Sequence, residues 1–592
     1  MSEKTTGAAL EKRKAEFEGA KDPITFAVIY NRLLTINREM GITMINTSIS
    51  PIFAEAHDFS CAVCDWDCRI VSQVDGVPSH TASAMESVKA IVKYFGDDIH
   101  PGDVFVLNDP YMGGTHLQDV TIMKPIFFGG RLQFIAINRA HHGDVGGMEP
   151  GSYCPKATEL FHEGVRIPPL RIYSGDEPIM DVINMIRINT RMPEEIWVDM
   201  KAQVASCNVG EKRILEMMEK YGEEKTRETI EDIHLYAENR MRDEIGRLPD
   251  GVYHGHATLD GDGLVDEPLD IKVKITIQGR DALVDFEGTS PQCLGPSNSP
   301  LANTATCVYV AFLTTVTTPD IPHNEGVYRP IRITAPEGSV VNPSGNAPVA
   351  YCTLDTACAI LEACWMALAD ILPGRVPAGW NRWNGPTVSG VDPRNENFYV
   401  MFGFNGFGGA GGAQSADGRP YIGDGIDLGG LIAPNIETNE VDYPHITEFN
   451  EFTEDSCGAG EYRGGNGARY RIKFYDGAET NLVMFGDGRV NPPYGLFGGL
   501  PGTCNMAYIN EGLAGEELLP AKGAVTLTDG GTFTSYPSGG GGWGDPKKRP
   551  AEKVAMDVKN GYISRRAAQE IYGVALTEGF GVDAAATAKL RG

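Results

Sequence analysis

Two strand-like runs, "VTIMKPIFF" (residues 120–128) and "RLQFIAINRAHH" (residues 131–142), are separated only by Gly129 and Gly130. A Gly-Gly loop between such runs predicts a tight β-hairpin, because both loop positions need a positive φ that glycine adopts without strain. The segment therefore predicts two long antiparallel neighbours in a sheet. The chain also holds 71 glycines and 37 prolines without a collagen-like period, which indicates many turns and much β-structure.

The open end of this hairpin carries side chains that bind metals. With a two-residue loop, the numbers of paired residues add up to 259, as 128 and 131 do, so Gln118 lies opposite His141 and His116 lies opposite Gly143. His116 then shares a face with His141, because alternate residues of a strand point to the same side. Asp119 points to the other face of an ideal strand, and a bulge or the strand end could bring it round.

Two imidazoles and a carboxylate suit Zn²⁺ or Mn²⁺ with coordination positions left open for water or substrate. The plainer alternative is that these residues cap strand ends and bond loops. A fourth ligand is needed, and Asp58 in "FAEAHDFSCAV" is a candidate, since a lone carboxylate among apolar neighbours is costly. The adjacent residue His57 is an alternative fourth ligand. His80 in "VPSHTASAM" is another, although it could equally be a surface or helix-cap histidine.

Three cysteines, Cys61, Cys64 and Cys68, form a C-x-x-C-x-x-x-C pattern that could be a zinc knuckle or a redox pair. No second Cys/His pair follows at zinc-finger spacing. The segment also alternates like a hairpin with a turn at residues 65–67, which would put Cys61 and Cys64 on opposite faces. The pattern therefore favours structural cysteines.

Phosphate loops are absent. The sequence has no G-x-x-x-x-G-K-[ST], no G-x-G-x-x-G between a strand and a helix, and no G-x-S-x-G elbow. The glycine-rich stretches 403–414 and 538–546 lack those contexts and are more typical of packed turns than of a substrate loop.

Composition excludes other classes. A net charge of −28, a pI near 4.9 and no basic run beyond residues 547–549 argue against nucleic acid as a partner. No run of about 18 apolar residues occurs, so no membrane helix is expected. The N-terminus lacks a signal-peptide core, and the twelve cysteines are scattered. We therefore expect free thiols and a cytoplasmic location.

At 592 residues, the chain is too long for one core. We predict an α+β or mixed fold: a β-rich multi-domain chain with a metal-bearing hairpin region and helical segments. Asp22 and Pro23 are typical of the start of a helix. The predicted division is an N-terminal polar segment (1–22), a metal-site α+β domain (23–175), a helical region (176–250), an α+β domain (251–380), a Gly-rich β domain (381–548) and a C-terminal helical tail (549–592).

Eight segments carry a family resemblance: "SPIFAEAHDFSCAV", "GDVFVLNDPYMGGTHLQDVTI", "HHGDVGG", "GPSNSPLANT", "IPHNEGVYRPI", "GAGEYRGGNG", "PPYGLFGG" and "SGGGGWGDP". Their order and spacing resemble the hydantoinase B / 5-oxoprolinase β-subunit family over residues 25–575. The resemblance implies the metal-containing catalytic subunit of an ATP-dependent amidohydrolase that opens a hydantoin, oxoproline or lactam. A subunit of an ATP-dependent ketone carboxylase, of acetone or acetophenone type, is the alternative.

The resemblance also implies cofactors and a partner. ATP and Mg²⁺ belong to a separate hydantoinase A-type subunit, in an (αβ)₂ hetero-oligomer. One divalent metal, zinc in first place and manganese as the alternative, belongs to this chain. The ligand pattern of the family is similar to Asp58, His116, Asp119 and His141 here. Asp119 or His142 could act as the general base within reach of a metal-activated water.

Two departures from the family pattern bear on these roles. The family usually reads "GHHAD" where this chain has Ala140 and Gly143, which leaves open whether His141 or His142 faces the metal. His57 replaces the usual leucine or arginine before Asp58 and could add a ligand or a proton shuttle.

Overall fold

The computed structural model describes residues 22–73, 76–403 and 406–592. Apart from Asp22, the predicted N-terminal polar segment lies outside them. The helices are α1 Pro23–Thr47, α2 Pro51–Ala54, α3 Pro78–Phe95, α4 Met180–Ile188, α5 Pro193–Tyr221, α6 Glu223–Ile245, α7 Leu301–Thr315, α8 Glu325–Tyr328, α9 Ala357–Ala369, α10 Ile436–Asp442, α11 Ala551–Lys559, α12 Arg565–Glu570 and α13 Ala584–Arg591.

The strands fall into four sheets. They are β1 Phe59–Asp65, β2 Ile70–Gln73, β3 Val104–Leu107, β4 Asp119–Phe128, β5 Arg131–His141, β6 Leu170–Ser174, β7 Glu177–Pro178, β8 Gly251–Leu259, β9 Leu269–Gln278, β10 Asp281–Asp285, β11 Ile331–Thr334, β12 Asn384–Val391, β13 Phe398–Phe402, β14 His445–Phe452, β15 Ala468–Phe474, β16 Thr480–Gly486, β17 Met506–Ile509, β18 Glu517–Leu518, β19 Gly523–Leu527 and β20 Gly531–Tyr536. The sheet orders are β2-β1-β5-β4-β3-β6-β7, β11-β10-β9-β8, β13-β12-β16-β19 and β14-β15-β20-β17-β18. The chain is thus a mixed, β-rich α+β protein; the domain boundaries drawn from the sequence stay predictions.

The predicted hairpin is β4 and β5, but its register changes along its length. Next to the loop, Phe128 pairs with Arg131, as a two-residue loop requires. A β-bulge at Ile126 and Phe127 then shifts the pairing by one residue, so that Asp119 lies opposite His141. The predicted pairing of Gln118 with His141 is therefore wrong. The bulge brings Asp119 directly across from His141 at the open end.

Helices cover both faces of the seven-stranded sheet. On one side α1 and α5 pack together, and α5 covers β4 and β5. Asp22 caps α1 by accepting the Thr25 N–H at 3.2 Å, and Pro23 occupies the first turn as predicted. The other side is covered by α3. Cys61 belongs to the core beneath α1 and α5, whereas Cys64 belongs to the core beneath α3. The two cysteines thus face opposite ways, as the alternation predicted.

The most apolar helical segment is Cys352–Ala369, which opens with a π-helical turn, Cys352–Thr356, and continues as α9. It is long and apolar enough to cross a membrane, but 94% of it is buried inside the protein. It packs on β8 and β9 and on α7. Its hydropathy is thus explained by a central position in the core. The C-terminal tail contains the three short helices α11, α12 and α13.

The glycine-rich stretches pack backbone against backbone. A Cβ atom on Gly540 would lie 2.0 Å from the Ala410 carbonyl oxygen, and one on Gly541 would lie 1.9 Å from the Tyr494 carbonyl oxygen. Real Cβ atoms do not approach so closely, so only glycine fits these positions. The stretches are therefore packed segments of the fold, as their sequence context indicated.

Replacement of Gly541 by alanine is expected to lower the free energy of unfolding by about 3 kcal/mol, because the new methyl group must displace main-chain atoms. Thermal unfolding followed by circular dichroism measures the loss. Gly579→Ala is the matched control, since a Cβ there meets no atom within 4 Å. Equal melting temperatures for both variants would contradict this packing argument.

Candidate metal centre

Three predicted ligands meet at the open end of the hairpin. His116 lies in the loop before β4, Asp119 is the first residue of β4, and His141 is the last residue of β5. The His116 Nε2 atom is 3.0 Å from both Asp119 Oδ1 and His141 Nδ1, and His141 Nδ1 is 3.4 Å from Asp119 Oδ1. All three side chains are buried, and one donor atom from each lies within 4.8 Å of the others.

Two further side chains reach the same point. His80, in the first turn of α3, places Nε2 at 3.5 Å from Asp119 Oδ1 and at 3.7 Å from Asp58 Oδ1. Asp58 immediately precedes β1, and its carbonyl oxygen accepts the His141 N–H. The predicted ligand Asp58 therefore lies next to these three residues. His80, which the sequence offered as an alternative fourth ligand, joins them. The five side chains together are called the His/Asp cluster below.

Neighbouring groups fix the orientation of the cluster. The His116 Nδ1 atom is 3.0 Å from the Ala350 carbonyl oxygen, so Nδ1 carries the proton and Nε2 presents a lone pair to Asp119 and His141. The Thr115 hydroxyl donates to the second carboxylate oxygen of Asp119. This is the outer hydrogen bonding that metal-binding histidines and carboxylates need.

The donor set fits a divalent transition metal. Imidazole nitrogens and carboxylate oxygens are the ligands that zinc and manganese take in proteins. Without an ion, His116 Nε2 and His141 Nδ1 face each other at 3.0 Å. A cation held by these rings and carboxylates offsets the cost of burying them.

Charges in the cluster depend on burial. Burial lowers the pKa of His141 to about 4, so its ring is neutral and available as a ligand at neutral pH. Burial, with Asp119 and Asp424 nearby, raises the pKa of Asp58 well above its ordinary value. Burial also acts to raise the pKa of Asp119, but His116 and His80 outweigh it and hold that pKa well below the usual range. Asp119 is therefore ionised at neutral pH.

His142 and His57 do not enter the cluster. His142 points to the opposite face of the sheet, where Nε2 is 3.0 Å from Gln203 Oε1 and the ring lies edge-on to Phe53. The choice between the two adjacent histidines thus falls on His141, and the structure does not place the predicted general base His142 near the site. His57, with φ at +59°, lines a different cavity. Cys61, Cys64 and Cys68 are unpaired thiols.

The cluster opens into a small cavity of about 20 Å³, room for about one water molecule. Its walls include Tyr153, Trp383 and Phe402, so the space is largely apolar apart from the cluster. Asp427 also lines it, and burial together with Asp424 and Asp58 raises the pKa of Asp427 well above its ordinary value. These residues were missed in the sequence. The stretch "GDGIDLGG", two acids among glycines, was the available signal for Asp427.

A buried carboxyl group, Glu163, supports the backbone segment whose Ala350 carbonyl orients His116. Its oxygens accept the N–H groups of Val349 and Ala350 at 2.8 to 3.0 Å, and the Ala350 carbonyl in turn accepts from His116. Burial raises the pKa of Glu163 to about 8 from an ordinary value of 4.5, against the opposing effect of those two hydrogen bonds.

A carboxyl group whose pKa is raised by folding contributes stability in its protonated form. This stability is fully present below the pKa of the unfolded state and is lost as pH rises through the pKa of the folded state. Between about pH 5 and pH 8, the wild type should therefore lose about 3 to 5 kcal/mol of stability relative to Glu163→Gln, which cannot ionise. Melting temperatures of both proteins across this range measure the difference. Glu570→Gln, an exposed control, should show no such trend. A pH-independent difference for Glu163→Gln would refute the assignment.

Comparison with known proteins places the chain in a family. A family model described as Hydantoinase B/oxoprolinase matches residues 22–546. The chain belongs to the hydantoinase B/oxoprolinase family. It is 35% identical over 573 residues to the caprolactamase β subunit of Pseudomonas jessenii, covering 96% of this chain and 98% of the relative. The family includes ATP-dependent enzymes, which supports an enzymatic role.

Solved structures agree with this membership. The crystal structure of ATP-dependent caprolactamase from Pseudomonas jessenii matches with a TM-score of 0.89 at 33% identity, covering 96% of this hydantoinase B-family chain and 99% of the other. A nucleotide-free acetone carboxylase matches with a TM-score of 0.89 at 20% identity, covering 99% of this chain and 85% of the other. At that identity the second match shows a shared fold alone.

Proposed function

We propose that this hydantoinase B-family chain is the metal-containing catalytic subunit of an ATP-dependent amidohydrolase that opens a cyclic amide. The observation that carries the proposal is the buried His/Asp cluster beside its small cavity. The relative with the same extent is named as the β subunit of a caprolactamase, which supports a cyclic amide as substrate and a second subunit as partner.

Different residues of the chain would bind the metal and transfer protons. Asp58, His116, Asp119 and His141 would hold one divalent metal, zinc or else manganese, with His80 as a further donor. When bound, such an ion acts as a Lewis acid and lowers the pKa of water. Asp119, the ionised member of the cluster, accepts a proton as general base in place of His142.

The neighbourhood of the cluster serves the same chemistry. Asp427 lines the cavity with a raised pKa, which suits a group that holds a proton and gives it to the leaving nitrogen. Tyr153, Trp383 and Phe402 exclude bulk water from an activated intermediate. The proposal thus assigns acid and base roles to carboxyl groups whose surroundings move their pKa values in opposite directions.

ATP is consumed elsewhere in this proposal. The sequence lacks a phosphate-binding loop, so a separate hydantoinase A-type subunit would bind ATP and Mg²⁺ in an (αβ)₂ assembly. A cytoplasmic location is part of the proposal. It is supported by the twelve cysteines, all of which are unpaired thiols.

The test is co-purification with the ATP-binding subunit, followed by incubation with ATP and hydantoin, 5-oxoproline or caprolactam. The opened amino acid is detected by mass spectrometry and ADP by chromatography. We expect ADP to form together with one ring-opened product, and His116→Ala to abolish both while size-exclusion chromatography shows an intact complex. Carboxylation of acetone or acetophenone with bicarbonate, without ring opening, would replace this proposal by the ketone carboxylase alternative.

A further inference from the structure

A second cavity adjoins the metal centre. It measures about 310 Å³, within the range of small-molecule binding sites, and it opens to solvent between α1 and the start of β1. Its residues alternate with those of the inner cavity along three segments of the chain. His57, Gly76 and Gly430 line the outer cavity, while the next residue in each segment, Asp58, Val77 and Leu431, lines the inner one.

The partition between the two cavities is therefore about one residue thick. Two glycines form part of it: a Cβ on Gly430 would lie 2.5 Å from the Gly76 carbonyl oxygen, and a Cβ on Gly76 would lie 2.8 Å from the Phe59 carbonyl oxygen. The glycines allow three backbone segments to meet closely. A molecule held in the outer cavity thus rests directly against the wall of the His/Asp cluster.

Two polar groups of the outer cavity, the Arg38 guanidinium and the Asn37 side-chain oxygen, lack a partner among the described residues. Arg38, which is exposed on α1, has no ion-pair or hydrogen-bond partner among the described residues. Its neighbours on the same helix behave differently, since Arg32 pairs with Glu216 at 3.3 Å and Glu39 pairs with Arg213. Asn37 is only 1% exposed, yet its side-chain oxygen has no partner in the described part of the chain. Both residues line the cavity.

The remaining lining is mostly apolar. Ile42 and Ile45 of α1 face Phe59 and Cys61 of β1 across the cavity. Ile42 is 57% exposed, so part of this apolar wall is open to solvent. An apolar wall with a free guanidinium suits a ligand that has an apolar body and an anionic end, because arginine binds phosphoryl and carboxylate groups with paired N–H donors.

We propose that this outer cavity binds a small amphipathic oxyanion, with Arg38 on its phosphoryl or carboxylate group and the isoleucine wall on its apolar body. The inference rests on the proposed function for its biological meaning: a cyclic amide activated by transfer of the γ-phosphoryl group of ATP to its oxygen, with ADP released, and the ring-opened acid both have this chemistry. The cavity then holds the activated substrate, or the leaving product, next to the metal centre.

Isothermal titration calorimetry of the full-length chain with phenyl phosphate tests the proposal, with benzoate and inorganic phosphate as companion probes. We expect phenyl phosphate to bind more tightly than inorganic phosphate, because only the former uses the apolar wall. Arg38→Met should weaken its binding by at least about tenfold, and Arg38→Lys by less. Arg32→Met removes the same charge from α1 outside the cavity and should bind as the wild type does.

The companion probes separate the possible ligands. Preference for phenyl phosphate over benzoate supports a phosphorylated substrate, and the reverse preference supports a carboxylate product. Binding that survives in His116→Ala places the ligand outside the His/Asp cluster, whereas its loss there overturns the inference. Absence of binding to the wild type, or unchanged binding to Arg38→Met, also overturns it. This readout needs neither ATP nor the partner subunit, so it fails independently of the proposed ring-opening activity.

Discussion

His116→Ala is expected to reduce bound transition metal from about one equivalent per chain to a small fraction of that, because it removes a proposed ligand whose position both β4 and the Ala350 carbonyl define. His141→Ala should do the same, since its Nδ1 atom faces the same point. Removal of a residue that only hydrogen-bonds to a metal ligand weakens metal binding by about 10- to 100-fold. Removal of a ligand itself should weaken binding by a larger factor. Inductively coupled plasma mass spectrometry of the purified proteins measures the metal content.

The adjacent histidine supplies the control. His142→Ala changes the neighbouring residue but alters the opposite face of the sheet, where His142 meets Gln203, so metal content should stay at the wild-type level. Circular dichroism shows whether each variant is folded. A folded wild type without a transition metal would remove the metal mechanism, and equal losses in His142→Ala would mean that the variants act through folding.

Arg382→Met is expected to destabilise the protein by about 3 to 5 kcal/mol, because it leaves the buried Glu362 carboxylate without a cation and Asp487 with only the more distant Lys522. The Arg382 guanidinium lies 2.6 Å from both Glu362 and Asp487, and all three side chains are buried. Lys522, also buried, pairs with Asp355 at 2.9 Å and lies 3.6 Å from Asp487. The network joins α9, the loop after β16 and the segment before β19.

Urea unfolding at neutral pH measures the loss. Arg469→Met is the comparison, since its pair with Glu451 at 2.7 Å is about half exposed and should contribute no more than about 1 kcal/mol. If the two variants lose stability equally, the buried network does not hold the sheets together as described.

The Gly-Gly loop and the strand periodicity allowed the hairpin to be predicted, with His116 and His141 at its open end. The two side chains do meet, but His116 reaches His141 from the loop before β4 and not from a shared strand face. The bulge at Ile126 and Phe127 was not predicted, although Pro125 directly before it is a residue that an inner strand tolerates mainly at a bulge. The predicted register was therefore off by one residue at the metal end. An ideal strand turns Asp119 away from His141, and the bulge brings it round, which is one of the two ways that the sequence left open.

The parts of the site that were not predicted depend on long-range contacts. His80 reaches the cluster only because α3 covers that face of the sheet, and Asp427 reaches the inner cavity from a glycine-rich loop far along the chain. Neither contact leaves a periodic signal in the sequence. The choice of His141 over His142 likewise depended on which face α5 covers, through Gln203, and strand alternation alone leaves that open.

The position of Asp427 and of the Ala350 carbonyl has a consequence for biosynthesis. The hairpin with His116 and His141 emerges early from the ribosome, but the groups that orient His116 and close the cavity are translated much later. A nascent chain can form the hairpin and still lack the completed pocket. Because such non-local contacts form slowly, metal capture should follow release of the finished chain, and prematurely terminated products should be unable to retain the ion.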